Sequence, residues 1–362
     1  MEKKKEILTI VLSSVIIFGL SVIGLFLPDR NYSDAERRGL ATSPQLSAES
    51  VAPGKYQEKF ETYALDQFPF RDFFRKTKAY TNYYVFLNKD NNGYNKKMGH
   101  IAKIEYPLNE AKLMASLKKQ QDIYTQFIKD SNCKIYTSVI PDKNYFLAPT
   151  CGYLSMDYDK YVETVIENET YAQYIDIFDC LNLDSYYYTD PHWKQEKIRP
   201  VTERLCKAMG NKKESETEYE LCETHVPFMG AYYEQACLPA KPDEIKYLNN
   251  KIIQQCKVTY YDADINKNVG VYDTGKLDKK DPYEMFLSGA QALIEIENPD
   301  CSSQKELVMF RDSFGSSLAP LLVDSYSKIT LVDIRYINPE KLGQLIDFNS
   351  QDVLFIYSTM TF

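Results

Sequence analysis

The chain carries three histidines and a single tryptophan, and one of each stand side by side in "YYTDPHW", residues 187–193. Asp190 lies two positions before His192. In an extended stretch, residues two apart project to the same side, so the carboxylate can reach the near ring nitrogen. Pro191 between them stiffens the loop and resists helix formation. A carboxylate that orients an imidazole prepares that imidazole to take a proton from a hydroxyl. Trp193 can pack beneath the ring or line an acyl pocket. A surface turn with a buried tryptophan would show the same residues, so a nucleophile has to be found elsewhere.

"VMFRDSFGSS", residues 308–317, offers one. A hydrophobic strand ends at Arg311, and Asp312-Ser313 opens a turn into a helix. The Ser313 hydroxyl would then stand at the carboxyl edge of a sheet, close to free helix N–H groups able to stabilise an oxyanion. Nucleophilic serines on α/β scaffolds occupy such strand-to-helix turns. The competing reading is that Ser313 only caps the helix, which serine does well.

Both segments need a sheet to hold them. In the C-terminal third, "QALIEIEN", "KELVMFRDS", "SKITLVDIRY" and "DVLFIYS" are short β-branched or apolar runs. Between them, "SSLAPLLVDSY" and "NPEKLGQLIDFN" read as helices. This alternation predicts a mainly parallel sheet covered on both faces, with function gathered at the carboxyl ends of its strands. Upstream, the apolar spacing predicts a helix from about Asn109 to Lys129, then a strand in "CKIYTSVIP" ending at Pro141. Another helix begins or kinks at Pro200, and the aromatic segment from Tyr56 to Leu87 reads as helices broken at Pro69. Residues 211–280 are charged, contain cysteines, and read as an insertion. No internal repeat is evident.

The N-terminus sets the compartment. Residues 1–6 carry three lysines, and 7–27 form an uncharged apolar run long enough to cross a hydrocarbon core of roughly 30 Å. Lysines on the N-terminal side orient it with the first six residues in the cytoplasm and the rest outside. No small-x-small cleavage site follows, so the expectation is an uncleaved single-pass anchor. A polar linker, residues 28–54, leads to an extracytoplasmic domain over 55–362. All eight cysteines lie in that external part, where either disulfides or scattered thiols fit; none has zinc-ligand spacing. The formal charge of -8, without a basic stripe, argues against nucleic acid. Thirty tyrosines are many, but composition alone does not assign a ligand.

"TDPHW" together with "RDSFGSS" resembles the DHHW family of exported bacterial proteins. That family is similar to the catalytic domains of alginate O-acetyltransferases and has an SGNH hydrolase-like fold. "DAERRGLATSPQLS", "ETYALDQFPFRDFF", "LVDIRYIN" and "DVLFIYS" fit it as well. The resemblance implies a three-layer α/β domain and a serine acyltransferase or esterase for a cell-surface polysaccharide. Ser313 would be the nucleophile, His192 the base and Asp190 its orienting acid. The order Asp–His–Ser departs from most SGNH hydrolases, where serine comes first, but suits the alginate acetyltransferase-like branch. An acyl donor would be delivered by a multi-spanning membrane acyltransferase, and no metal or organic cofactor is needed.

Two departures from the family pattern stand out. Pro191 occupies the place of a second histidine. Gly289-Ala290 stands where the pattern has Gly-Asn, so Gly289 would offer a backbone N–H to the oxyanion but no side-chain amide follows. Losing one such donor costs about 100- to 1,000-fold in rate, unless Gln291 substitutes. A silent, glycan-binding or envelope-assembly protein is the alternative that Ala290 and the tyrosines favour. Arg311 and Arg335 are candidates for holding an anionic sugar, although strand-end arginines usually pair with carboxylates. Asp142 and Lys143, after a predicted strand, are candidates for lining the cleft. His100 and His225 read as structural or surface residues, and Asp66 with Arg71 as a salt bridge.

Overall fold

A computed structural model of the chain describes residues 2–36, 38–46, 54–88, 90–211, 217–261 and 269–361. The chain divides into two compact units, Met1–Gly93 with Ala231–Pro239, and Tyr94–Gly230 with Ala240–Phe362.

The second unit is built on a seven-stranded sheet. Its strands in chain order are β1 (Lys134–Ile140), β2 (Gln173–Tyr174), β3 (Lys257–Tyr260), β4 (Leu293–Glu297), β5 (Glu306–Arg311), β6 (Lys328–Val332) and β7 (Asp352–Ser358). Across the sheet they run β3-β4-β6-β5-β7-β1-β2. The five strands β6, β5, β7, β1 and β2 are mutually parallel, with Val308 opposite Val353 and Ile356 opposite Ser138. β4 pairs antiparallel with β6, and β3 with β4, so the first of the predicted apolar runs departs from the parallel rule.

The near-continuous apolar sequences follow from burial on both faces. Along β5 the side chains alternate: Leu307 and Met309 join one core with Val201, Leu205 and Leu318. Val308 and Phe310 join the opposite core with Ile123, Ile128, Leu342 and Ile346. This is the mixed α/β, mainly parallel arrangement that the alternation predicts, in the three-layer SGNH-like form that the family resemblance implies. The helix expected over Asn109–Lys129 runs Glu110–Ile123 and continues in a wider turn to Ile128. Pro200 sits in the first turn of Arg199–Ala208, where its missing N–H leaves nothing unpaired.

Within 211–280, Glu220–Phe228 and Asp243–Asn249 form a separate antiparallel hairpin, and Lys257–Tyr260 is the edge strand of the main sheet. The first compact unit runs through to Gly93. Ion pairs join its segments. Asp66, at the end of helix Lys55–Asp66, accepts from both Arg38 nitrogens at 2.8 and 2.5 Å and from the Ala41 N–H at 2.9 Å. Arg71 of helix Arg71–Tyr84 bonds Glu36 and lies 3.7 Å from Asp66. The 28–54 segment is thus tied, where described, to the helices that follow it.

The first unit also contains helix Glu2–Phe26, whose Lys3–Phe26 stretch is the one described helix long and apolar enough to cross a membrane. All eight cysteines are free thiols.

Candidate active site

Two loops at the carboxyl edge of the sheet meet. The first, 187–193, is closed at its base by a bridge between Tyr186 and Trp193 and by the Tyr187 N–H on the His192 carbonyl at 3.2 Å. Its crown is held from outside by Asp243, whose carboxylate accepts from the Tyr188 N–H, the Thr189 N–H and the Thr189 hydroxyl at 2.8, 2.7 and 2.5 Å. Lys143 donates to the Tyr187 and Tyr188 carbonyls at 2.9 and 3.3 Å. Gly230 lies against the loop so closely that an added Cβ would stand 2.3 Å from the Asp190 Cβ; only glycine fits there. These clamps fix Asp190, fully buried, beneath His192.

The second loop follows β5. The Asp312 carboxylate accepts from the Phe314 N–H at 3.0 Å and, with its other oxygen, from the Ser358 N–H and Thr361 hydroxyl beyond β7 at 2.8 and 2.5 Å. Asp312 therefore takes the capping role, and the Ser313 side chain makes no cap bond. Ser313 stands at the N-cap position, but its hydroxyl is turned to His192. The helix it opens is only Phe314–Leu318, so the expected help from a helix terminus reduces to individual amides. Gly315 permits the tight turn, since a Cβ there would meet the Arg311 Cβ at 2.6 Å.

Between the loops, His192 Nδ1 is 2.6 Å from Asp190 Oδ1, and His192 Nε2 is 2.7 Å from Ser313 Oγ. The Asp190 carboxylate also accepts from the His192 N–H at 3.1 Å. With Nδ1 protonated and donating to Asp190, Nε2 is left with its lone pair on the serine hydroxyl. Ser313 is partly exposed while His192 and Asp190 are buried, so the hydroxyl is reachable from outside and its base is not. This is the geometry of base-assisted nucleophilic attack.

Residues that the sequence did not single out hold the imidazole in place. The Tyr283 ring stacks on His192 with centroids 3.8 Å apart and planes at 8°. Its hydroxyl meets Ser317 Oγ at 2.7 Å, and that oxygen also accepts from Trp193 Nε1 at 2.8 Å. Trp193 is fully buried and edge-on to Phe314, so it packs beneath the site and does not line an acyl pocket. Ser317 was legible as the residue one helical turn after Ser313. Tyr283, one of thirty tyrosines, and Asp243, fifty residues downstream of its loop, carried no local signal.

The remaining candidates fall outside the reacting centre. Arg311 is wholly buried, with Nη1 3.4 Å from the Asp312 carbonyl and 3.8 Å from Asp333, so it cannot reach a polysaccharide. Asp333 is also chelated by Arg335 at 2.8 and 2.6 Å. The Gly289 N–H donates to the Phe286 carbonyl at 3.2 Å, and the Gln291 amide to the Ser288 carbonyl at 3.0 Å, so both donors are taken within their own turn. Ala290 is exposed. The Ser313 N–H makes no hydrogen bond among the described residues and remains available to an oxyanion. Asp142 accepts from Tyr158, Thr359 and the Asn144 N–H and supports the floor of the site. Burial pushes the Lys143 ammonium down to about 7, against the pull of Asp243 and Asp190. His100 is buried against Tyr188, and burial followed by the Lys143 charge pushes it down to about 3. His225 is exposed beside Glu244.

The comparisons with known proteins bear on the fold. A DHHW family protein from Eubacterium siraeum superposes with a TM-score of 0.56 at 21% identity, covering 75% of this chain and 92% of that one. PatB1 from Bacillus cereus, in a structure with a sulfonyl adduct, gives 0.61 at 17% identity, covering 74% and 95%. The O-acetyltransferase domain of Pseudomonas putida AlgJ is a looser match, 0.44 at 9% identity over 74% and 91%. No curated protein matches the chain. At these identities the likeness is one of fold. The DHHW protein model matches residues 169–332. That region holds Asp190, His192 and Ser313.

Proposed function

We propose that the chain is a membrane-anchored serine O-acyltransferase or esterase acting on acetyl groups of a cell-surface polysaccharide. The observation that carries this reading is the His192 imidazole, within hydrogen-bond distance of both Asp190 and Ser313. Ser313 Oγ attacks the acyl carbonyl as its proton passes to His192 Nε2. Asp190 stabilises the imidazolium, and the Ser313 N–H faces the developing oxyanion. The leaving alcohol takes the proton from His192, leaving an acyl-serine. A polysaccharide hydroxyl, or water, then gives its proton to the same nitrogen and attacks the acyl carbonyl; as the acyl–Oγ bond breaks, His192 returns that proton to Ser313 Oγ. Acetyl and polysaccharide come from the motif resemblance to alginate O-acetyltransferases. Residues 7–27 are the anchor, with the chain beyond them outside and a multi-spanning acyltransferase as acyl donor.

Ala290, and the engagement of the Gly289 and Gln291 donors, favour a second reading: a catalytically silent surface protein that binds glycans. The test uses the full chain in detergent, with a fluorophosphonate or sulfonyl fluoride probe and a chromogenic acetyl ester. Labelling at Ser313 and acetate release, both abolished in Ser313→Ala and His192→Ala, are the expected results. A folded protein that neither labels nor turns over would leave the binding reading.

A further inference from the structure

Helix Arg71–Tyr84 of the first unit turns aromatic side chains outward. Its inward face carries Arg71 and Arg75, 15% and 13% exposed, which pair with Glu36, and Ala79 beside them is fully buried. Its outward face carries Phe73, Thr77, Tyr80 and Tyr84 at positions i, i+4, i+7 and i+11, flanked by the exposed Lys76 and Lys78. The chain then continues through Val85, Phe86 and Leu87, which are 68%, 71% and 70% exposed. An apolar face of this extent on a soluble protein marks an interaction surface.

Its position names the partner. The turn before this helix packs on helix Glu2–Phe26: a Cβ added to Gly24 would lie 3.4 Å from Pro69 Cγ. Leu27, Pro28 and Arg30, leaving that helix, line one groove with Phe68, Phe70 and Phe73. Gly24 is in the last turn, about 3 Å of helical rise before Phe26. If Lys3–Phe26 spans the bilayer, this level is the membrane surface. Phenylalanine and tyrosine are the side chains that settle there, rings among the acyl chains and hydroxyls toward water. We propose that the stripe of Arg71–Tyr84 and the Val85–Leu87 segment lie in the outer leaflet at the boundary of headgroups and acyl chains, with phospholipid as their partner. The first unit would then hold the membrane by a spanning helix and by an interfacial one. This rests on reading Lys3–Phe26 as a spanning helix.

The test uses the full chain in phosphatidylcholine vesicles, with tryptophan placed by Phe73→Trp, Phe86→Trp or Phe18→Trp. Trp193 of the parent chain supplies the baseline. Lipids brominated near the headgroup or deep in the chain quench tryptophan by depth. We expect Phe73→Trp and Phe86→Trp to lose their added emission to shallow bromines more than to deep ones, and Phe18→Trp to show the reverse. If Phe18→Trp is quenched while the other two respond only to aqueous iodide, or to neither quencher, the spanning helix stands and the proposal falls. In those cases the face is covered by water or by protein, respectively. If Phe18→Trp is not quenched, the spanning reading itself fails, and the proposal with it.

Discussion

The two units each bury a cluster of charged groups, and the clusters differ in what they leave open. In the first unit, Asp66 accepts from Arg38 and Ala41, and Glu36 accepts from Arg71, so the ions neutralise one another and hold short chain segments onto two helices. In the second, Asp190 is matched by one imidazole, whose far nitrogen points at a partly exposed hydroxyl. Saturation gives stability; one unsaturated link in an otherwise clamped network gives a group that can react. The surrounding clamps follow the same division. Asp243 and Lys143 act on the backbone beside Asp190, and Gly230 packs against it.

Substitutions can break or sharpen this contrast. Asp190→Asn should lower kcat/KM for the acetyl ester on the order of 10⁴-fold, through loss of the tautomer, with the unfolding midpoint nearly unchanged. Gly230→Ala, whose methyl would overlap Asp190, should cost about 1–3 kcal/mol in denaturant unfolding and roughly 100-fold in rate, because the carboxylate must shift. Asp66→Asn should do the reverse of Asp190→Asn: unchanged esterase rate, and about 1 kcal/mol less stability at neutral pH, a modest figure because Arg38 is partly exposed. The Arg38 guanidinium holds the Asp66 carboxyl at about 2, below its ordinary 3.8. Its contribution is therefore complete above about 4 and lost as pH falls toward 2, so the parent and variant stability curves should converge there. If Asp66→Asn lost activity on the scale of Asp190→Asn, the contrast would be wrong.

A further test concerns Lys143 and pH. Its folded value of about 7 lies below the ordinary 10.5, so between these the unfolded chain binds more protons and stability should rise with pH. Lys143→Met should flatten that rise, measured by unfolding at intervals from pH 7 to 10.

Much of the second unit was legible because its signals are local. The β5–β7 runs are apolar without interruption, and "TDPHW" and "RDSFGSS" place their chemistry within a few residues. Even so, which of two neighbours caps the short helix was open. Asp312 and Ser313 both suit the position, and only the pull of Ser358 and Thr361 on Asp312 decides it. What was not legible depends on distant pairing. Nothing near Tyr283 says that its ring lies on an imidazole ninety residues earlier. Arg311 at a strand end looks the same whether it faces a sugar or Asp333. The antiparallel placement of β4 is likewise invisible in its own sequence, since a strand buried on both faces reads alike in either direction.

The covalent path has one more consequence. The chain leaves the second unit directly after Gly230, spends Ala231–Pro239 in the first, and returns at Ala240. With the passage after Gly93, the units share three crossings, and one adjoins the glycine that touches Asp190. Neither unit is therefore a cassette that recombination or a simple truncation could exchange. Any exchange of the second unit has to carry the first with it, so the two inherit their changes as one object.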